Sequence, residues 1–169
     1  MDTKIASSLP MDLKTAKVIH DLFVKKRLTL SVAESCTGGL ISHVLTALPG
    51  ASKFFEVGVV TYSVAAKGRV LGILKKDLET HGVISEETAR QMAENVRSLA
   101  KTAVSVSTTG NLGPDALENK PRGLIYVAVS TEQGTLAKKL MLEGERTEVK
   151  EKAVQAALVF LAEVIGNDG

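Results

Sequence analysis

Short β-rich apolar runs at 28–33, 54–63, 103–109 and 124–130 alternate with segments whose apolar residues recur at helical spacing, and this alternation narrows the folds open to the chain. Leu13, Ala16, Val18, Ile19, Leu22 and Phe23 mark a first helix within 11–27. A second covers 38–48 and is closed by Pro49-Gly50. A short helix over 65–73 is followed by a stronger one over 85–102, started by Ser85 with Glu87 and Thr88, and the chain ends in a helix over 146–165. Late in the chain, 124–130 and 135–143 form a hairpin around Glu132-Gln133-Gly134. Strands separated by helices pair in parallel, and a hairpin adds antiparallel pairing. The expectation is a single-domain α/β/α sandwich with a mixed, mainly parallel sheet, with a polar tail over 1–10 and one domain over 11–169.

Composition excludes several function classes. At 169 residues, 44% hydrophobic and 24% charged, the chain has the balance of one globular unit. The net charge of +2 is spread without a basic run, and four Phe, two Tyr and no Trp leave little for base stacking, so direct nucleic-acid binding is not expected. The single cysteine, Cys36, rules out an internal disulfide or a multi-Cys metal centre and suits the cytoplasm. No run of about 18 apolar residues suggests a membrane span, and the first residues do not look like a signal peptide.

Two polar turns, 34–39 and 109–115, follow strands, and ligands of open α/β sheets collect at such ends. In "AESCTGG", Ser35 at the mouth of a helix would stand beside unpaired amides able to stabilise an oxyanion, with Gly38 and Gly39 allowing close approach to the backbone. The plainer alternative is that Ser35 or Thr37 is an N-cap. Cys36 is a second candidate nucleophile with His43 nearby, although a histidine seven positions on points elsewhere on an amphipathic helix. His20 and His81 have no partners at ligand spacing, so no metal is expected. A serine without a matched histidine needs another base, and "TYSVAAK" supplies Tyr62 and Lys67. Lys67 serves only if its environment lowers its pKa; otherwise it is a solvated surface charge. Ser107, Thr108 and Thr109 lead into a Gly/Pro/Asn loop with the general character of a phosphate cradle, or of a polar surface turn, and nucleotide-binding glycine motifs are absent.

Taken in order, "AESCTGGLIS", "LTALPGASKFF", "GVVTYSVAAK", "GVISEETARQMA", "TTGNLGPD" and "KPRGLIYVAV" resemble the CinA C-terminal domain family over about residues 12–165. The resemblance implies a nicotinamide-nucleotide amidase, which converts nicotinamide mononucleotide and water to nicotinate mononucleotide and ammonia, recycling a pyridine nucleotide without a cofactor. It also implies a homodimer or higher homo-oligomer, and the chain resembles the stand-alone form rather than the form fused to a domain related to molybdopterin-binding proteins.

Carried over by motif, Ser35 matches the nucleophile, Lys67 the general base and Ser52 an assisting serine, with Tyr62 a further catalytic position. Thr37, Gly38, Gly39, Thr109, Gly110 and Arg146 match substrate-binding positions, Arg146 pairing with the substrate phosphate. The family's Thr-Gly-(Ile/Val)-Ala-Gly-Pro-Asp-Gly-Gly becomes Thr109-Gly110-Asn111-Leu112-Gly113-Pro114-Asp115-Ala116-Leu117, which places Asn111 toward the pocket as a determinant of substrate or rate, or else as a turn residue. Two other readings stand beside the amidase: a nucleotide-binding or regulatory module with weak turnover, and a partner protein in DNA uptake or repair.

Overall fold

Residues Leu30–Glu34 form β1, buried at all five positions, as expected of a strand covered on both faces. It occurs in a computed structural model that describes residues 13–167; the tail expected over 1–10 lies outside them. Before β1 comes α1 (Lys14–Lys26), whose Ala16, Ile19, His20 and Phe23 form one buried stripe. After it, in chain order, come α2 (Leu40–Thr46), a 3-10 turn (Ala51–Lys53), β2 (Phe55–Val60), α3 (Val64–Leu71), α4 (Lys75–His81), α5 (Glu86–Ala100), β3 (Val104–Gly110), β4 (Leu124–Thr131), β5 (Gly134–Met141) and α6 (Arg146–Asn167).

The five strands lie in the order β2-β1-β3-β4-β5. β1 pairs in parallel with β2 and with β3, while β4 is antiparallel to both β3 and β5. Among these strands β4 alone runs against the others, so the mixed, mainly parallel sheet is as expected. From β1 the chain passes outward to β2 and then crosses back to β3 on the other side, which makes the carboxyl ends of β1 and β3 a topological switch point. The register aligns Glu34 with Thr108 there, and the two polar turns meet.

Helices cover both faces. On one, α1, α2 and α6 enclose a core that includes Phe23, Ile41, Phe54, Leu158 and Leu161. Each such fully buried side chain contributes about 1.5–3 kcal/mol of transfer free energy. His20 belongs to this core, its ring edge-on to Phe54 at 4.7 Å and its Nε2 2.8 Å from the Leu45 carbonyl oxygen. On the other face α5 lies against β1, β3 and β4, with α3 and α4 beside it. Ser85 caps α5 by accepting the Thr88 amide at 3.1 Å, and Glu86 and Glu87 complement the positive end of the helix.

The helix α4 is not anticipated by the apolar pattern. Its one buried residue is Leu78, so "KKDLETH" has no periodicity to read, and it is packing of Leu78 with Leu71, Ile73 and Met92 that holds it. No described helix is long and apolar enough to cross a membrane.

Candidate active site

Glu34, the last residue of β1, is fully buried, and a buried carboxylate is tolerated only when well bonded. It accepts hydrogen bonds from the amides of Ile41 (2.9 Å) and Ser42 (3.1 Å) and from the hydroxyls of Ser42 (2.9 Å) and Thr37 (2.7 Å). The first amides of α2 are therefore satisfied by a side chain five or more residues upstream. Neither Ser35 nor Thr37 is the N-cap. Gly38 and Gly39, with φ of 60° and 96°, prolong the turn so that the helix begins only at Leu40. This corrects the expectation that Ser35 faces unpaired helix amides; within the turn, the amides of Cys36, Thr37 and Gly39 make no backbone–backbone hydrogen bond among the described residues, the Cys36 amide facing its own thiol.

Thr37 is wholly buried and also joins the Thr108 hydroxyl at 2.7 Å, tying β1 to β3. Its hydroxyl is engaged in that network, and Thr37, Gly38 and Gly39 are not among the residues that line the cavity, so the turn could meet a substrate only through its backbone.

Lys67 reaches Ser35 from α3. Ser63 starts this helix by accepting the Ala66 amide at 3.0 Å, which turns Lys67 inward. The lysine is 1% exposed, and its Nζ donates to the Thr61 carbonyl at 2.7 Å and contacts Ser35 Oγ at 3.0 Å. Burial lowers its pKa from 10.5 to about 8, opposed by Cys36 and the Glu118 carboxylate. The solvated-surface alternative for Lys67 is overturned.

Cys36 is buried, and burial pushes its thiol up to about 12, so it is not a thiolate near neutral pH. His43 is exposed on α2. The buried amine beside a hydroxyl is Lys67 beside Ser35, and that pair can exchange a proton across a single hydrogen bond.

Both residues open onto a cavity of about 430 Å3 that is also lined by Tyr62, Thr109, Gly110 and Arg146. Arg146, at the start of α6, donates to the Gly113 carbonyl at 2.5 Å and to the Tyr62 hydroxyl at 2.9 Å, bridging the 110–123 loop to the end of β2. The Thr109 hydroxyl donates to the Val83 carbonyl at 2.6 Å. Gly110 is required by β4: a Cβ there would lie 2.6 Å from the Leu124 carbonyl oxygen, so it offers the cavity only backbone. Ser107 donates to the Ala89 carbonyl at 2.6 Å, and with Thr108 bonded to Thr37 the three hydroxyls of this strand end serve the fold rather than an open cradle.

Ser52 is not brought to the site. It lies exposed in the 3-10 turn before β2, whereas Ser35 follows β1. Because β1 and β2 are parallel, with Leu30 opposite Phe55 and Glu34 opposite Val60, the two serines occupy opposite ends of the sheet, about 17 Å of strand apart. Within one chain Ser52 cannot assist Ser35.

Residues 12–165 match the model of the CinA C-terminal domain. The chain belongs to the CinA C-terminal domain family. A competence-damage inducible protein of Caldanaerobacter subterraneus subsp. tengcongensis is 48% identical over 85% of this chain and 35% of its own length. One from Clostridium acetobutylicum is 40% identical over 92% of this chain and 38% of its own. The chain thus spans little more than a third of these curated relatives. Among solved structures, the competence/damage inducible protein CihA from Agrobacterium tumefaciens superposes with a TM-score of 0.88 at 35% identity, over 95% of this chain and 99% of that one. The competence damage-inducible protein A from Klebsiella pneumoniae gives 0.90 at 28%, over 93% and 98%.

Two features of this CinA domain, Glu118 and Thr61, escaped the sequence reading, and Asn111 takes the turn-residue alternative. Asn111 does border the cavity, but its amide nitrogen donates to the carbonyls of Asp115 (2.9 Å) and Lys120 (3.1 Å), and its oxygen accepts the Gly113 amide at 2.8 Å. It is a turn residue whose polar atoms are engaged by its own loop, which corrects the pocket-facing expectation. Glu118, at φ 55°, fastens the same loop to the amides of Val83 (2.9 Å) and Ile84 (3.2 Å). Thr61, beneath Lys67, has a buried hydroxyl with no partner among the described residues. An isolated Thr or Glu in a loop carries no sequence signal for such roles.

Proposed function

We propose that this protein is an amidohydrolase that cleaves the carboxamide of nicotinamide mononucleotide, giving nicotinate mononucleotide and ammonia. The observation that carries the reading is the buried Lys67 amine 3.0 Å from Ser35 Oγ at the mouth of a cavity. With a pKa of about 8, an appreciable fraction of Lys67 is neutral near pH 7, when its lone pair can accept the Ser35 proton. The carbonyl of Thr61 orients the amine while this happens.

In the first half of the reaction Ser35 Oγ attacks the amide carbon and its proton passes to Lys67, leaving a tetrahedral oxyanion for which the turn amides that follow Ser35, those of Cys36 and Thr37, make no competing backbone–backbone hydrogen bond. Lys67 then returns the proton to the departing nitrogen; the C–N bond breaks, ammonia leaves and an acyl ester remains on Ser35. In the second half a water gives its proton to Lys67 and attacks the ester. The C–Oγ bond breaks, the proton returns to Ser35, and the acid departs. No redox step or cofactor enters the balance. The mononucleotide is favoured as substrate by Arg146 at the cavity wall, a cation suited to a phosphate, and by the family to which the chain belongs.

The test is ammonia and nicotinate mononucleotide release from purified protein, with Ser35→Ala as control. Loss of both products in the variant, with an unchanged melting temperature, supports the reading. Binding of the mononucleotide without turnover by the unsubstituted protein would replace it with the weak-turnover binding module.

A further inference from the structure

Glu118 sits where local chemistry disfavours it. Leu117 and Lys120 close a tight turn, the Lys120 amide donating to the Leu117 carbonyl at 2.9 Å, and the two residues between them, Glu118 and Asn119, have φ of 55° and 57°. Asparagine and glycine suit this left-handed region; glutamate does not. Its side chain compensates. One carboxylate oxygen accepts the Val83 amide at 2.9 Å and the other the Ile84 amide at 3.2 Å. Gly82 makes room for this grip, since a Cβ there would lie 2.7 Å from Glu118 Oε2.

The gripped segment is wall of the catalytic cavity. Val83 and Ile84 line it together with Ser35, Lys67 and Glu118 itself. The Val83 carbonyl also accepts the Thr109 hydroxyl at 2.6 Å, so the segment is suspended between the end of β3 and the 110–123 loop. Val64, Val83 and Glu118 line in addition a second cavity of about 460 Å3, which makes them a partition between the two. Glu118 is the one carboxylate among the described residues of the catalytic lining, and its charge favours the ammonium form of Lys67. The other ionisable groups around that amine are Cys36 in the turn after β1, and Tyr62 and Arg146 on the wall. Glu34 is turned to α2, and α5, which packs against α3, leaves Glu86, Glu87 and Glu94 exposed. Lys75, His81 and Lys120 stand beyond the partition.

We propose that Glu118 is a positioning residue of this cavity: it clamps the Val83-Ile84 wall to the 110–123 loop and sets its charge toward Lys67. It acts through the wall and the base, not on the reacting atoms. The chemistry that Lys67 performs rests on the amidase reading, whereas the clamp and the charge are properties of the loop itself.

The experiment compares unsubstituted protein with Glu118→Gln, which removes the charge and keeps the length, and Glu118→Asp, which keeps the charge but falls a methylene short of the amides. Titration of Lys67 is followed by NMR of isotope-labelled lysine, assigned with Lys67→Met, and kcat and KM for nicotinamide mononucleotide are measured across pH. In Glu118→Gln the Lys67 titration and the half-plateau pH of kcat/KM should both fall by about 0.5, a difference that added salt narrows because Glu118 is exposed. In Glu118→Asp the titration should hold while KM rises about tenfold with kcat little changed, as expected of a lost wall contact. A Lys67 titration unmoved in Glu118→Gln, or moved equally in Glu118→Asp, overturns the charge role, and an unchanged KM in Glu118→Asp overturns the clamp. Should Glu118→Gln fail to fold, Glu118→Ala takes its place with the same expectation for the titration. If Lys67 titrates as expected in every variant but the unsubstituted protein releases no ammonia, the charge role of Glu118 stands and the amidase reading alone fails.

Discussion

Lys67 and Ser35, 32 positions apart in sequence, meet at 3.0 Å because α3 follows the end of β2 and turns Lys67, its fourth residue, inward to the end of β1. Only the folded state holds this amine out of water. That burial has consequences for pH dependence, because a displaced pKa is a statement about stability as well as about chemistry.

Below pH 8 Lys67 is charged in both the folded and unfolded chain, and the fold bears the full cost of an enclosed ammonium; above 10.5 it is neutral in both and the cost is gone. Stability contributed by this residue therefore rises as pH climbs from about 8 to 10.5, by at most about 3 kcal/mol. Cys36 acts in the opposite sense, losing stability between 9.0 and about 12. Lys67→Met, which keeps an unbranched stem, isolates the lysine. Denaturant unfolding at pH 7 should show the variant at least as stable as the original, with the advantage shrinking toward pH 10.5.

Catalysis should follow the same group. The expected kcat/KM on nicotinamide mononucleotide rises with pH and reaches half its plateau near pH 8, the value for Lys67. Lys67→Met and Lys67→Arg should both fall by a factor of about 100 or more, the arginine because guanidinium stays protonated. An active arginine variant would show that positive charge, not proton transfer, is what Ser35 needs.

Glu34→Ala should be among the most damaging substitutions. It removes the acceptor for two α2 amides and two hydroxyls inside the protein, and the expected loss is about 3 kcal/mol or more by urea unfolding. Glu34→Gln, which keeps one oxygen acceptor, should lose less. Ser35→Ala should change stability little, since Ser35 does not cap the helix.

Thr61→Val tests the unpartnered hydroxyl. Removing a buried polar atom without a partner, while retaining shape, should leave stability equal or raise it by about 1 kcal/mol, and the Thr61 carbonyl still holds Lys67. A marked loss of stability would mean that the hydroxyl is bonded in solution.

Asn111→Ile should lower the melting temperature, because the carbonyls of Asp115 and Lys120 and the Gly113 amide lose their partner. The ratio of ammonia release from the mononucleotide and the riboside should stay the same. A changed ratio would return Asn111 to the pocket.

The order of strands and helices was legible because burial imposes a period on each element, near 2 in strands and 3.6 in helices, whereas α4, with Leu78 its single buried residue, has no period to show. Ser35 and Lys67 were legible as residue types that chemistry needs, with a family resemblance to single them out. What the linear order could not hold was which groups share space. Parallel pairing of β1 and β2 sends Ser52 to the far end of the sheet, though it is closer to Ser35 in sequence than Lys67 is. Glu34 becomes the cap of α2 because two positive-φ glycines fold the turn back over it, and Asn111 turns into its own loop. Desolvation and hydrogen bonding act over a few ångströms in any direction, so the pKa of Lys67 and the partners of Glu34 exist only once the chain has folded.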